Sequence, residues 1–256
     1  MAMRFASLGS GSRGNALVVE VKQTRLLLDC GFGIRETVLR LSRLELRPED
    51  LSGILITHEH TDHIGGAVKF ARRHAIPVWL THGTFKNHAP AETLPEVHLI
   101  DGHSVFQAGD IEVQPFPVPH DAREPVQYVF GNGLRRLGVL TDTGKSTPHI
   151  EAILSGCDAL VLECNHDPDM LRNGPYPPGL KQRVAGRFGH LDNGAAARLL
   201  AELDNSRLQH LIAAHLSEKN NTPELARAAL SPVLNCEQEW IGVADQMNGF
   251  GWRQVF

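Results

Sequence analysis

Apolar residues along the chain follow two alternating rhythms. Short, nearly continuous apolar runs bounded by polar residues or glycine predict buried strands. They fall at 16–21 ("ALVVEV") and 24–31 ("TRLLLDCG"), joined by the polar Lys22 and Gln23. Further runs are "GILIT" at 53–57, "IPVWLT" at 76–81, "DALVLEC" at 158–164 and "LQHLIAAH" at 208–215. Between them, apolar spacing near 3.6 predicts helices over 35–44, 65–74, 147–156, 193–203 and 222–234. The last opens on Thr222 as a cap, with Pro223 in the first turn. Residues 97–118 read as short strands broken by Gly and Pro, and 126–142 as a hairpin about Gly131-Asn132-Gly133. The tail, 239–256, supplies one or two closing strands. No repeat, low-complexity tract or linker interrupts this order. Residues 1–256 are therefore expected to form one α/β domain, sheets inside and helices outside.

Composition changes this picture little. The chain has 256 residues, 42% hydrophobic and 21% charged, enough for a sizeable core. Its net charge of −4 carries no basic excess, so a polyanionic partner would need a local positive site or bound cations. No apolar run reaches the length of a membrane span, and the first residues lack a signal-peptide core, so no membrane association is expected. Four cysteines without a CxxC pair fit a reduced, cytoplasmic setting.

The chemistry gathers where apolar runs end. Asp29 closes "LLLD", His58 "ILIT", His120 "PFPVP", Asp142 "GVLT" and His215 "LIAA". Strand ends in a mixed sheet share a rim, where such folds build ligand sites. The densest stretch is "THEHTDHIGG", residues 57–66. His58 and His60, two apart, can grip one cation from one side, while Asp62 and His63 can face a second. Imidazole with carboxylate suits zinc, manganese or iron better than calcium or magnesium. Gly65 and Gly66 remove side-chain bulk beside the site. A solvated histidine-rich loop is the bland alternative, and the strand before and helix after count against it.

"THEHTDH" resembles the HxHxDH signature of the metallo-β-lactamase superfamily. The resemblance implies a four-layer αβ/βα sandwich with two divalent metal ions on one edge of its sheets. It extends in order through "LLLDCG", "VPHD", "LTDTG" and "AAHLS". It implies one metal on His58, His60 and His120, a second on Asp62, His63 and His215, and Asp142 shared. Asp29 would hydrogen-bond a ligand from behind. A water between the metals would lose a proton near neutral pH and act as the nucleophile.

"FGHLDN" followed by "HLSEKNN", with "LGSGSRGN" and "LECNHD", resembles a bacterial branch of single-stranded-DNA 5′-to-3′ exonucleases, related to tRNase Z and ribonuclease J. The chain has no room for the inserted cap domain of ribonuclease J and no long basic arm like that of tRNase Z. The resemblance assigns His190 to the scissile phosphate or leaving group, so Asp62, Asp142 and His190 are the candidate catalytic residues. Ser10, Asn15, His166 and Asn220 are candidate substrate contacts. "SLGSGSRGN" fails both phosphate-loop fingerprints, because it precedes a strand. Glu163 is expected to be partly buried against a cation. Arg172, Lys181, Arg183 and Arg187 lie in a Pro- and Gly-rich stretch that reads as a solvated basic loop or a phosphate contact, with Tyr176 able to stack on a base. His74, His82, His88, His98, His103, His149 and His210 lack ligand spacing and are expected to be surface or structural. The leading expectation is a metal-dependent phosphodiesterase acting on nucleic acid. The alternatives are a small-molecule hydrolase, of a cyclic phosphodiester or thioester, and a binding scaffold without catalysis.

Overall fold

The computed structural model describes residues 2–88 and 94–256, and the side chain of His88 lies outside the described residues. Among the described residues, fourteen strands make two seven-stranded sheets. The first holds β1 (Met3–Gly9), β2 (Ala16–Val21), β3 (Thr24–Leu28), β4 (Gly53–Leu55), β5 (Val78–Thr81) and β6 (Val97–Ile100). The second holds β7 (Phe106–Ala108), β8 (Ile111–Pro117), β9 (Val126–Gly131), β10 (Arg136–Leu140), β11 (Ala159–Glu163), β12 (His210–Ala214) and β13 (Gly242–Val243). The chain then returns as β14 (Phe250–Val255) to pair antiparallel with β1. Each sheet is antiparallel in one half and parallel in the other, the change falling at β3 and at β10.

Period-two alternation divides the side chains between layers. Leu26 and Leu28 point into the core between the sheets, with Phe5, Val113, Tyr128 and Val161. Leu27 joins the outer cluster, with Leu41 of α1 (Ile34–Ser42) and Phe70 of α3 (Ala67–His74). On the other sheet Leu160 and Leu162 pack outward against Ile150 of α5 (Pro148–Leu154), Leu199 of α8 (Asn193–Glu202) and Leu230 of α9 (Pro223–Leu234). The result is helix, sheet, sheet, helix. The buried Tyr128 hydroxyl donates to Ile56 O at 2.9 Å and ties the sheets together near the end of β4.

Two segments depart from the pattern. β1 was not expected, because its small Ala and Ser positions interrupt the apolar run. It forms between β14 and β2, and its Met3, Phe5, Ala6 and Leu8 are buried. Residues 171–190, expected as a loop, hold the end of α6 (Pro168–Asn173) and all of α7 (Pro178–Val184). Their prolines occupy the first turn, where a missing N–H costs nothing, so residues read as breakers are helix starters. Two other short helices, α2 (Thr61–Ile64) and α4 (His82–His88), flank β4 and β5. Cys30, Cys157, Cys164 and Cys236 are free thiols. Among the described residues no helix is long and apolar enough to cross a membrane.

Candidate metal centre

The strand ends converge at one rim, and the backbone turns sharply there. Asp29, Asp142 and His215 take the left-handed conformation, with φ of 60°, 51° and 55°. Non-glycine residues adopt it at a cost of about 1–3 kcal/mol, and only where surrounding contacts hold them. The loop after β4 carries His58. His60 then caps α2, whose four residues include Asp62 and His63. Two glycines permit the crowding. A Cβ on Gly66 would sit 1.8 Å from Phe32 O, and one on Gly31 would sit 1.9 Å from Asp62 O.

Two clusters of donor atoms result. The ligand atoms of His58, His60 and His120 lie within 4.8 Å of one another, as do those of Asp62, His63 and His215. Asp142 stands between them: Oδ2 is 3.1 Å from His63 Nε2, while Oδ1 is 3.6 Å from His215 Nε2 and 3.9 Å from His120 Nε2. The far ring nitrogens are engaged by the protein. His58 Nδ1 meets Thr57 Oγ1 at 2.9 Å, His120 Nδ1 meets Gly189 O at 3.1 Å, and His63 Nδ1 meets Asp29 Oδ2 at 2.7 Å. Asp29 also accepts the Thr57 N–H at 2.9 Å. His58 Nε2 is buried without a hydrogen-bond partner, and Asp142 Oδ2 has only the contact with His63 Nε2. An orphaned buried nitrogen of this kind is costly unless something binds it.

Charge tells the same story. Burial, and then the neighbouring His63, push His58 well below its ordinary pKa. Burial also opposes charge on His63, but Asp142, Asp62 and Asp29 outweigh it and lift that imidazole well above its usual range. Burial disfavours charge on Asp142 and Asp62, yet the surrounding histidines hold both carboxylates well below theirs. Anionic carboxylates beside inward-facing imidazole nitrogens form a donor set that fits divalent cations.

Glu163, at the end of β11, is more deeply placed than expected. It is fully buried and accepts from the backbone N–H groups of Asp142 (3.0 Å), Thr143 (3.1 Å) and Leu191 (3.0 Å). It also meets His190 Nδ1 at 2.8 Å and His215 Nδ1 at 3.3 Å. Burial raises its pKa, but His190 outweighs that and brings it to about 2. Reciprocally, burial lowers the pKa of His190, and Glu163 raises it above the ordinary value. His190 lines a pocket of about 400 Å³ together with His60, Asp62, Asp142 and His215.

Ser10, Asn15, His166 and Asn220 are not among the residues that line that pocket. All four are buried, and Ser10 and Asn15 are engaged by the ligand-bearing segments themselves. Ser10 Oγ accepts the His215 N–H at 2.9 Å, and Asn15 Nδ2 donates to Asp62 Oδ2 at 3.3 Å. His166 bridges to Asp192, and Asn220 Nδ2 donates to Ser217 Oγ at 3.2 Å. The sequence reading missed Thr57 and Asp121. The first follows a strand with no ligand spacing. The second adjoins His120, so "PHD" carried the signal.

A family model described as the β-lactamase superfamily domain matches residues 24–215. Among curated proteins, exodeoxyribonuclease YycJ of Bacillus anthracis is 38% identical over 251 residues, covering 96% of this chain and 93% of its own length. Exodeoxyribonuclease WalJ of Streptococcus pneumoniae is 33% identical over 248 residues, covering 95% and 92%. Among solved structures, the metallo-β-lactamase fold protein YhfI from Bacillus subtilis superposes with a TM-score of 0.76 at 16% identity, covering 99% of both chains. The short form of human tRNase Z gives 0.67 at 17%, again over 99% of both. At these identities the two structures show a shared fold.

Proposed function

Because the chain belongs to the β-lactamase superfamily and is a metal-dependent hydrolase of its αβ/βα fold, we propose that it is a phosphodiesterase acting on nucleic acid, a single-stranded-DNA 5′-to-3′ exonuclease. The observation that carries this reading is His190, set beside both ligand clusters in a chain that aligns with exodeoxyribonucleases over nearly its full length. In this reading His58, His60 and His120 hold one divalent cation, Asp62, His63 and His215 hold a second, and Asp142 serves both. Zinc or manganese suits the donor set, and iron is compatible with it. When bound, the pair supplies Lewis-acid activation of a water nucleophile and of the phosphoryl group.

The chain's own residues do the rest. Asp29 fixes the His63 ring, and Glu163 fixes His215 and the backbone that presents Asp142. Glu163 also favours the protonated form of His190, whose imidazolium can hydrogen-bond a phosphate oxygen and pass a proton to the leaving oxygen. We take residues 1–256 as one domain, since both sheets share the core between them, and place it in a reducing cytoplasm that its four free thiols would tolerate.

Digestion of labelled single-stranded DNA with zinc or manganese tests the proposal. Nucleotide release from the 5′ end is expected, and Asp142→Asn should abolish it. No release from the wild type, or equal release from the variant, would contradict it. The net charge of −4 favours a small phosphodiester or thioester instead, and turnover of such compounds with oligonucleotides left intact would select that reading.

A further inference from the structure

The pocket has two walls. One carries the ligand clusters. The other, formed by residues 176–184, presents Tyr176, Leu180, Arg183 and Val184. The i, i+3, i+4 spacing puts Leu180, Arg183 and Val184 on one face of α7. Arg183 Nε donates to Asp121 Oδ2 at 2.6 Å. Asp121 Oδ1 lies 3.5 Å from His120 Nε2, so the guanidinium is pinned one residue away from the ligand set. Its two terminal nitrogens have no hydrogen-bond partner among the described residues, and the side chain is 60% exposed at the pocket mouth. Tyr176 is half-buried on the same wall, with Lys219 Nζ 5.9 Å from its ring centroid.

We propose that Arg183, pinned by Asp121, and Tyr176 form a subsite for the nucleotide next to the scissile phosphate. The guanidinium takes the neighbouring phosphate, and the ring stacks on the base. The inference rests on the nuclease reading and deepens it by naming what selects an unpaired strand. A planar fork of N–H donors matches phosphate oxygens, and Asp121 occupies only the Nε position of that fork. An aromatic face accepts any base, so stacking requires no sequence. A base inside a duplex has no free face to offer, so the wall discriminates against paired substrate. Arg183 and Lys219 also set positive charge beside a pocket in a chain of net charge −4.

The test is binding of a short fluorescein-labelled, phosphorothioate-protected oligothymidylate to the zinc-loaded full chain, followed by anisotropy at several salt concentrations. Arg183→Gln should weaken binding and reduce the slope of log K against log salt by about 0.7, the value for one phosphate contact on a single strand. Tyr176→Ala should weaken it about 5- to 150-fold, the range for one lost stacking contact, and Tyr176→Phe should recover most of that loss. Both losses should be smaller on a duplex of the same length. If the wild type binds and degrades single strands but both variants keep its affinity and salt slope, the subsite is refuted and the nuclease reading stands. If the wild type neither binds nor degrades oligonucleotides, the nuclease reading fails and the subsite falls with it.

Discussion

Asp29 touches no substrate, yet it decides how one ligand points. Its Oδ2 takes the Nδ1 side of His63 and leaves Nε2 facing Asp62 and Asp142. Removing such an outer partner lowers metal affinity or activity about 10- to 100-fold in comparable sites. Asp29→Asn should therefore weaken zinc binding by that factor in calorimetric titration while the chain stays folded, and unchanged affinity would contradict the role. Glu163 gives a prediction in pH. Its pKa falls from an ordinary 4.5 to about 2, so the stability due to its ionised form is present above 4.5 and is lost as pH falls toward 2. His190, raised above 6.5, contributes stability that is full below 6.5 and is lost as pH rises through its folded value. The advantage of metal-free wild type over Glu163→Gln in urea unfolding should thus be largest between pH 4.5 and 6.5. A difference that does not vary with pH would count against the pairing.

The strands that carry the site were legible because their apolar runs are long and end abruptly in Asp or His. β3, β10 and β12 lie where the hydrophobic pattern puts them, and each delivers its terminal polar residue to one rim. The left-handed turns at Asp29, Asp142 and His215 were not legible, since no glycine marks them. The pocket's second wall was hidden for a related reason. Pro178 signals a loop in isolation but begins a helix here, so Arg183 could not be placed from spacing. Gly66 was noticed for its lack of bulk, but the atom it must clear, Phe32 O, belongs to a distant loop. Gly66→Ala should cost more than about 2 kcal/mol in denaturant unfolding, because backbone rather than a flexible side chain must move. It should also lower metal uptake. Wild-type stability in that variant would mean that α2 and α3 do not need the close approach.

The two sheets and their helices bring five strand ends and one short helix to a single rim, drawing on residues from Asp29 to His215. That span falls within the 24–215 matched by the superfamily model, and the nuclease relatives extend it to nearly the full chain. Most of the donor side chains are buried, so a bound cation pair would also act as a staple between the sheets. Ligands that bind only the folded state raise its apparent stability. The most direct test counts metal by mass spectrometry on protein loaded with zinc or manganese and desalted. Two equivalents per chain are predicted for the wild type, and about one for His60→Ala, which spares the cluster of Asp62, His63 and His215. Less than one equivalent in the wild type, or no loss in the variant, would contradict the paired-cation centre.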